Sequence, residues 1–196
     1  MPAAAARELL LAGVRLIQIR DKHASARLLY ETCLELKEIL RESGCSLIVN
    51  DRADVARAAH AEGVHLGQDD LPVEKARRVL EPHQWIGRST HSLEQVVEAD
   101  GTTADYIAFG PIFPTTSKEN PDAVVGLGGL REARRATRKP LVAIGGITLQ
   151  NACEVLAAGA DSVAVIGDLV SQPDIRARAL EFLGVLGGEK PSSRAP

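Results

Sequence analysis

Apolar residues in this chain come in short runs that stop abruptly at polar or glycine-rich positions. Leu47-Ile48-Val49 ends at Asn50-Asp51, and Leu16-Ile17-Gln18-Ile19 at Arg20 and Lys22. Val64-His65-Leu66-Gly67 runs into Gln68-Asp69-Asp70, and Trp85-Ile86-Gly87 into Arg88-Ser89-Thr90-His91. The run at 106–110 meets the polar stretch 111–118. Leu141-Val142-Ala143-Ile144 stops at Gly145-Gly146, and the run 163–166 at Gly167-Asp168. Short, nearly continuous apolar runs suit strands that are covered on both faces.

Between the runs the apolar positions change to helical spacing. Residues 3–12 carry Leu9, Leu10 and Leu11 and are closed by Gly13, a usual helix stop. Ser25 is placed to cap a helix in which Leu28, Leu29, Thr32, Cys33, Leu36, Ile39 and Leu40 recur until Gly44. Further helices are expected near 54–60, 73–80 behind Pro72, after Ser92, and near 127–137, 149–158 and 173–186. The stretch 111–125, with Pro111, Pro114 and Pro121, is a long irregular loop. Loops of that length in a compact domain are usually functional or disordered.

Strand and helix therefore alternate, which predicts an α/β fold of βαβ units around a parallel sheet. In an open doubly wound sheet, ligand-type residues would gather at one switch point. Here every strand carries them at its C-terminal end, the distribution of a (β/α)8 TIM barrel whose strand ends ring one site. A barrel needs eight strands and seven runs are present, so the first strand is expected to be missing. The runs at 16–20 and 162–166 should then each have an unpaired edge. Residues 1–187 are expected to form this single domain, with 188–196 a disordered tail.

Bulk properties narrow the partners. The chain has 196 residues, 45% of them hydrophobic, enough for one sizeable core. A net charge of −3 gives no bias toward nucleic acid or an acidic membrane surface. No apolar stretch reaches the roughly 20 residues of a membrane span. Cys33, Cys45 and Cys153 are odd in number and lack Cys-x-x-Cys spacing. They are read as small hydrophobes of a reducing compartment, the cytoplasm. The expected partners are small molecules, with a homo-oligomer left open.

The strand ends suggest the chemistry. Asp51 and Asp70 end neighbouring strands, and two carboxylates facing one mouth either share a proton or share a hard cation such as Mg²⁺. Asp70 could instead cap the helix behind Pro72. Arg20, Lys22 and Lys118 follow three different strands and place positive charge at the same mouth, with Arg52 and Arg88 as additions. Cations beside such carboxylates suggest a phosphorylated or diphosphorylated substrate. Gly145-Gly146 and Gly167, after the last two strands, add a second phosphate signal, because glycine lets backbone N–H groups approach an anion. Thr115, Thr116, Ser117 and Lys118 form a plausible lid over an anionic group. Asn50 and Ser89 suit neutral hydrogen bonds to a heterocycle or a diphosphate oxygen. His65 lies within a strand and is read as a satisfied interior residue, and no Ser-His-Asp order or His/Cys metal spacing stands out.

These stretches are also family motifs. QIRDK at 18–22, VNDR at 49–52, GVHLGQDD at 63–70, residues 87–91, GPIFPTTSK at 110–118, AIGGIT at 143–148 and AGADSVAV at 158–165 occur in order. On them the chain closely resembles the thiamine phosphate synthases, in the superfamily shared with thiazole tautomerase. The resemblance implies a transferase that joins hydroxymethylpyrimidine diphosphate to hydroxyethylthiazole phosphate, releasing diphosphate. It implies that Gln18, Arg20, Lys22, Asn50, Ser89 and Lys118 hold the pyrimidine diphosphate. Asp51 and Asp70 would bind Mg²⁺, and Thr115, Thr116, Ser117, Gly146, Ile166 and Gly167 would receive the thiazole phosphate. The implied reaction is dissociative, which suits an inventory of cations and a metal site without a protein nucleophile.

Three features depart from the family. The first strand, aromatic-rich and ending in Thr-Asp, is absent, Gly167-Asp168 stands where Ser-Ala is usual, and Ser117 replaces the commoner Thr. Asp168 would repel a phosphate if it pointed inward. The tautomerase would carry a histidine near Gly110-Pro111 and lose the metal aspartates, so Pro111, Asp51 and Asp70 match the synthase. An inactive, truncated homologue acting as a binding protein is supported by the missing strand alone.

Overall fold

In the computed structural model, which describes residues 2–115 and 122–187, each of the seven apolar runs is a strand. They are β1 (Leu16–Ile19), β2 (Ser46–Asn50), β3 (Gly63–Leu66), β4 (Trp85–Thr90), β5 (Tyr106–Phe109), β6 (Leu141–Ile144) and β7 (Ser162–Ala164). All pairings are parallel and the strands stand in chain order in one sheet. The expected helices are α1 (Pro2–Ala12), α2 (Ala26–Leu40), α3 (Ala53–Ala58), α4 (Val73–Val79), α5 (Leu93–Asp100), α6 (Gly126–Ala136) and α7 (Ala152–Ala157). After β7 come α8 (Gly167–Val170) and α9 (Ile175–Leu186). The expected caps form: the hydroxyl of Ser25 accepts from the N–H of Leu28, and that of Ser92 from Gln95. Only α8 was not expected, because a single turn is too short to show a helical period.

The two faces of the sheet have different chemistry. Leu47, Val49, Val64, Leu66 and Ile86 point outward and pack with Leu29, Cys33 and Leu36 of α2 and with α3 and α4. Ile107, Phe109, Leu141 and Ala143 do the same beneath α5, α6 and α7. Parallel register puts cross-strand partners on the same face. Asn50 pairs with His65, His65 with Gly87, and Gly87 with Tyr106, so these residues form one row on the inner face. This row is polar at Asn50, His65 and Tyr106, whereas the next inner row, with Ile48 and Trp85, is largely apolar.

The sheet stays open where an eighth strand would stand, since β1 and β7 do not pair. The helix layer closes over that opening. Helix α1 packs on both α9, which follows β7, and α2, which follows β1. Side chains on the inner face beside the opening are exposed: Leu16 keeps 48% of its surface, and Ser162 and Ala164 are exposed too.

This contrast is measurable. Leu47, fully buried, should cost about 2–5 kcal/mol when changed to Ala. Leu16→Ala, at a position half open to water, should cost less than about 1 kcal/mol in the same urea titration. Equal losses would mean that the inner face at β1 is covered.

Candidate functional site

The charged residues meet at the C-terminal ends of β1, β2 and β3. Asp51 follows β2 in a left-handed backbone conformation, φ 63°, which Asp tolerates better than most residues. Its N–H donates to the carbonyl of His65 at 2.8 Å, which fixes the turn. The Asp51 carboxyl hydrogen-bonds that of Asp70, which lies beyond β3. Burial first, and then this bond and the charge of Asp70, push the Asp51 pKa up to about 6. Lys22 and Arg20, at the end of β1, act in the opposite direction, so both cations lie within electrostatic range of the pair. Asp70 also accepts the N–H of Gly67 at 2.6 Å. It does not cap α4, whose N-cap position is Pro72 and has no side-chain cap bond.

Two neighbouring carboxyl groups that retain a proton between them are a donor set waiting for a cation. Among the described residues there is no group of three or more His, Cys, Asp or Glu able to hold a metal. A pair of carboxylates suits Mg²⁺, which keeps several waters and takes its other ligands from substrate phosphates. The residues present therefore fit that ion better than zinc, whose sites need more protein ligands.

The predicted neutral contacts sit beside this pair. The Gln18 side-chain amide donates to Oδ1 of Asn50 at 3.1 Å. Ser89 is buried, with its hydroxyl 2.8 Å from Nε2 of His65. His65 is an interior residue, as expected, but its other ring nitrogen lies 3.0 Å from the Tyr106 hydroxyl. Tyr106 and this link to Ser89 escaped sequence reasoning. The available signal was Gly87, a glycine inside an apolar strand. A Cβ there would lie 2.0 Å from Tyr106 Cζ and 2.5 Å from His65 Nδ1.

Two expected cations do not join the mouth charge. Arg52 turns to Asp54, with Nε to Oδ1 at 2.8 Å, at the start of α3. Arg88 donates to the Gly67 carbonyl and, at 3.4 Å, to Gln68. Each is used by a nearby acceptor. The cysteines also divide: Cys33 and Cys45 are buried, whereas Cys153 is exposed on α7.

The second glycine site lies across the mouth. Gly145 and Gly146 have φ of 85° and 66°, and the loop after β5 lies against them. Ile112 N–H donates to Ile144 at 2.9 Å and Phe113 N–H to Gly145 at 3.1 Å. A Cβ on Gly146 would lie 2.5 Å from the Pro114 carbonyl oxygen, so glycine is needed to seat the loop. Ile166 and Gly167 are exposed at the start of α8. The Asp168 carboxylate accepts from the Leu149 N–H at 2.8 Å and from Arg178, with both oxygens 2.8 Å from Nη2. Its charge is therefore compensated. Thr115 is described; Thr116, Ser117, Lys118 and the tail 188–196 lie outside the described residues.

Comparison with known proteins agrees with these motifs. The sequence model of the thiamine monophosphate synthase family matches residues 2–169. The thiamine-phosphate synthase of Koribacter versatilis is 55% identical over 181 residues, 92% of this chain and 84% of that protein. That of Chloroflexus aurantiacus is 46% identical over 173 residues, 88% and 80% of the two chains. The solved thiamine phosphate pyrophosphorylase from Pyrococcus furiosus superposes with a TM-score of 0.88 at 39% identity, covering 95% of this chain and 90% of that one.

The carboxyl pair makes a pH prediction. The folded pKa of Asp51 is raised from 3.8 to about 6, so the folded state binds the proton more tightly than the unfolded state. Stability from this group is present at low pH and is lost as pH rises through about 6. Without added divalent ions, Asp51→Asn should therefore stabilise the fold at pH 8, by about 1 kcal/mol after allowance for solvent screening. Little gain is expected at pH 4.5, and thermal melts at the two pH values would show it. A loss at pH 8 would contradict the shared-proton arrangement.

Proposed function

The chain belongs to the thiamine monophosphate synthase family, and on that premise we propose that it joins hydroxymethylpyrimidine diphosphate to hydroxyethylthiazole phosphate. The products are thiamine phosphate and diphosphate, and the setting is the cytoplasm. No helix among the described residues is long and apolar enough to cross a membrane. The observation that carries the reading is the Asp51 and Asp70 carboxyl pair with Arg20 and Lys22 in range. That is a combination for a diphosphate leaving group.

Asp51 and Asp70 would hold Mg²⁺, which supplies positive charge to the departing diphosphate. Arg20 and Lys22 bind diphosphate oxygens from the β1 side, and Lys118 does so from the loop after β5. Gln18, Asn50 and Ser89 orient the pyrimidine on the inner face. Gly146, Ile166 and Gly167 receive the thiazole phosphate with Thr115, Thr116 and Ser117. The pyrimidine methylene C–O bond breaks with its electron pair leaving on diphosphate. The thiazole nitrogen then supplies the pair for the new C–N bond. The exchange of bonds is complete between the two substrates and calls for no protein nucleophile. Arg178 compensates the Asp168 carboxylate on the thiazole phosphate side.

Supplied with both substrates and Mg²⁺, the purified protein should form thiamine phosphate and diphosphate in equal amounts. Asp51→Ala should lower turnover by roughly a hundredfold or more with a cooperative melt retained. Lys118→Ala should slow turnover at saturating substrate. A protein that isomerises the thiazole carboxylate and makes no thiamine phosphate would be a tautomerase instead. Wild-type kinetics in Asp51→Ala would remove the metal assignment.

A further inference from the structure

Below the carboxyl pair, three strands share one hydrogen-bonded line. Tyr106 of β5 and His65 of β3 flank Gly87 of β4 in register, and their rings stack at 5.5 Å between centroids. The Tyr106 hydroxyl is 3.0 Å from His65 Nδ1, and His65 Nε2 is 2.8 Å from the Ser89 hydroxyl. Gly87 carries no Cβ between the two rings, and one placed there would collide with both. Glycine weakens a strand interior, so this position gives up strand stability to let the line form.

Hydrogen atoms on such a line can be arranged in two ways. In one, Tyr106 donates to Nδ1, Nε2–H donates to Ser89, and the Ser89 proton points away from the line. In the other, Ser89 donates to Nε2, Nδ1–H donates to Tyr106, and the Tyr106 proton must find a different acceptor. Among the described residues the Tyr106 hydroxyl bonds to His65 alone. Burial, reinforced by the charge of Asp105, pushes its pKa further up, so it remains a donor throughout the working pH range. A buried hydroxyl donor without an acceptor is costly, which favours the first arrangement.

We propose that Tyr106 and His65 are positioning residues that hold the Ser89 hydroxyl as a hydrogen-bond donor toward a lone-pair nitrogen of the substrate pyrimidine. The substrate rests on the function proposed above; the orientation of the line does not. His65 is level with Asn50, one residue short of Asp51. Ser89 is therefore next to the floor of the site, where the heterocycle lies once its diphosphate is held above. A donor there selects a ring nitrogen over the exocyclic amino group.

The test has two parts. In nitrogen-15 NMR of the wild-type protein without substrate, His65 should carry its proton on Nε2 with Nδ1 bare. A proton on Nδ1 overturns the proposal. This measurement needs no activity, so a protein that fails to make thiamine phosphate counts against the functional reading alone. In kinetics, Tyr106→Phe should lower kcat/KM by about tenfold, mainly through KM for the pyrimidine diphosphate, with KM for the thiazole phosphate unchanged. In a Ser89→Ala background the same change should have less than about a twofold effect, because Tyr106 acts through Ser89. His65→Gln, which keeps an N–H near the Nε2 position, should retain more activity than His65→Leu. Equal effects of Tyr106→Phe in both backgrounds would make Tyr106 a packing residue.

Discussion

Strands that all run the same way can be joined only by crossovers, and here each crossover carries a helix. That constraint puts every C-terminal strand end on one side of the molecule. It also covers the outer face of the sheet with helices, and the polar row at Asn50 and His65 lies on the inner face. Asp51, Asp70, Arg20 and Lys22 meet because β1, β2 and β3 end together. None of these contacts is local in sequence.

What gathers there is held in tension. The two carboxyl groups are close enough for one to retain a proton near neutral pH, while Lys22 and Arg20 favour its loss. In the function proposed, a divalent cation held by Asp51 and Asp70 would relieve the conflict by taking the proton's place, and Arg20 and Lys22 would share the charge of a bound diphosphate with it. The left-handed turn at Asp51 belongs to the same economy. A residue held in a sparsely populated conformation persists where the surroundings over-determine it, and the bond from its N–H to the His65 carbonyl is part of that restraint.

Much of the frame was legible because it is written in short-range terms. Apolar runs gave the strands, and Ser25 and Ser92 marked helix starts by side-chain chemistry alone. Counting runs also exposed the opening between β1 and β7, since an edge is a property of strand number. What stayed hidden depends on register or on a competing partner. Arg52 looked like mouth charge, yet Asp54 two residues on gives it a nearer use. Asp168 looked like a threat to an anion, yet Arg178, ten positions away on α9, compensates it. The link from Tyr106 to Ser89 crosses three strands and could be seen only once Gly87 was known to lie between two rings.

The central claim is that Asp51 and Asp70 form a cation site at which a diphosphate is held against Arg20 and Lys22. A crystal structure of the chain grown with Mn²⁺ in place of Mg²⁺ and with inorganic diphosphate tests it directly. An anomalous peak within coordination distance of both carboxylates, with diphosphate oxygens completing its shell, is the predicted result. A diphosphate bound elsewhere, or a metal that touches neither Asp51 nor Asp70, would contradict the account.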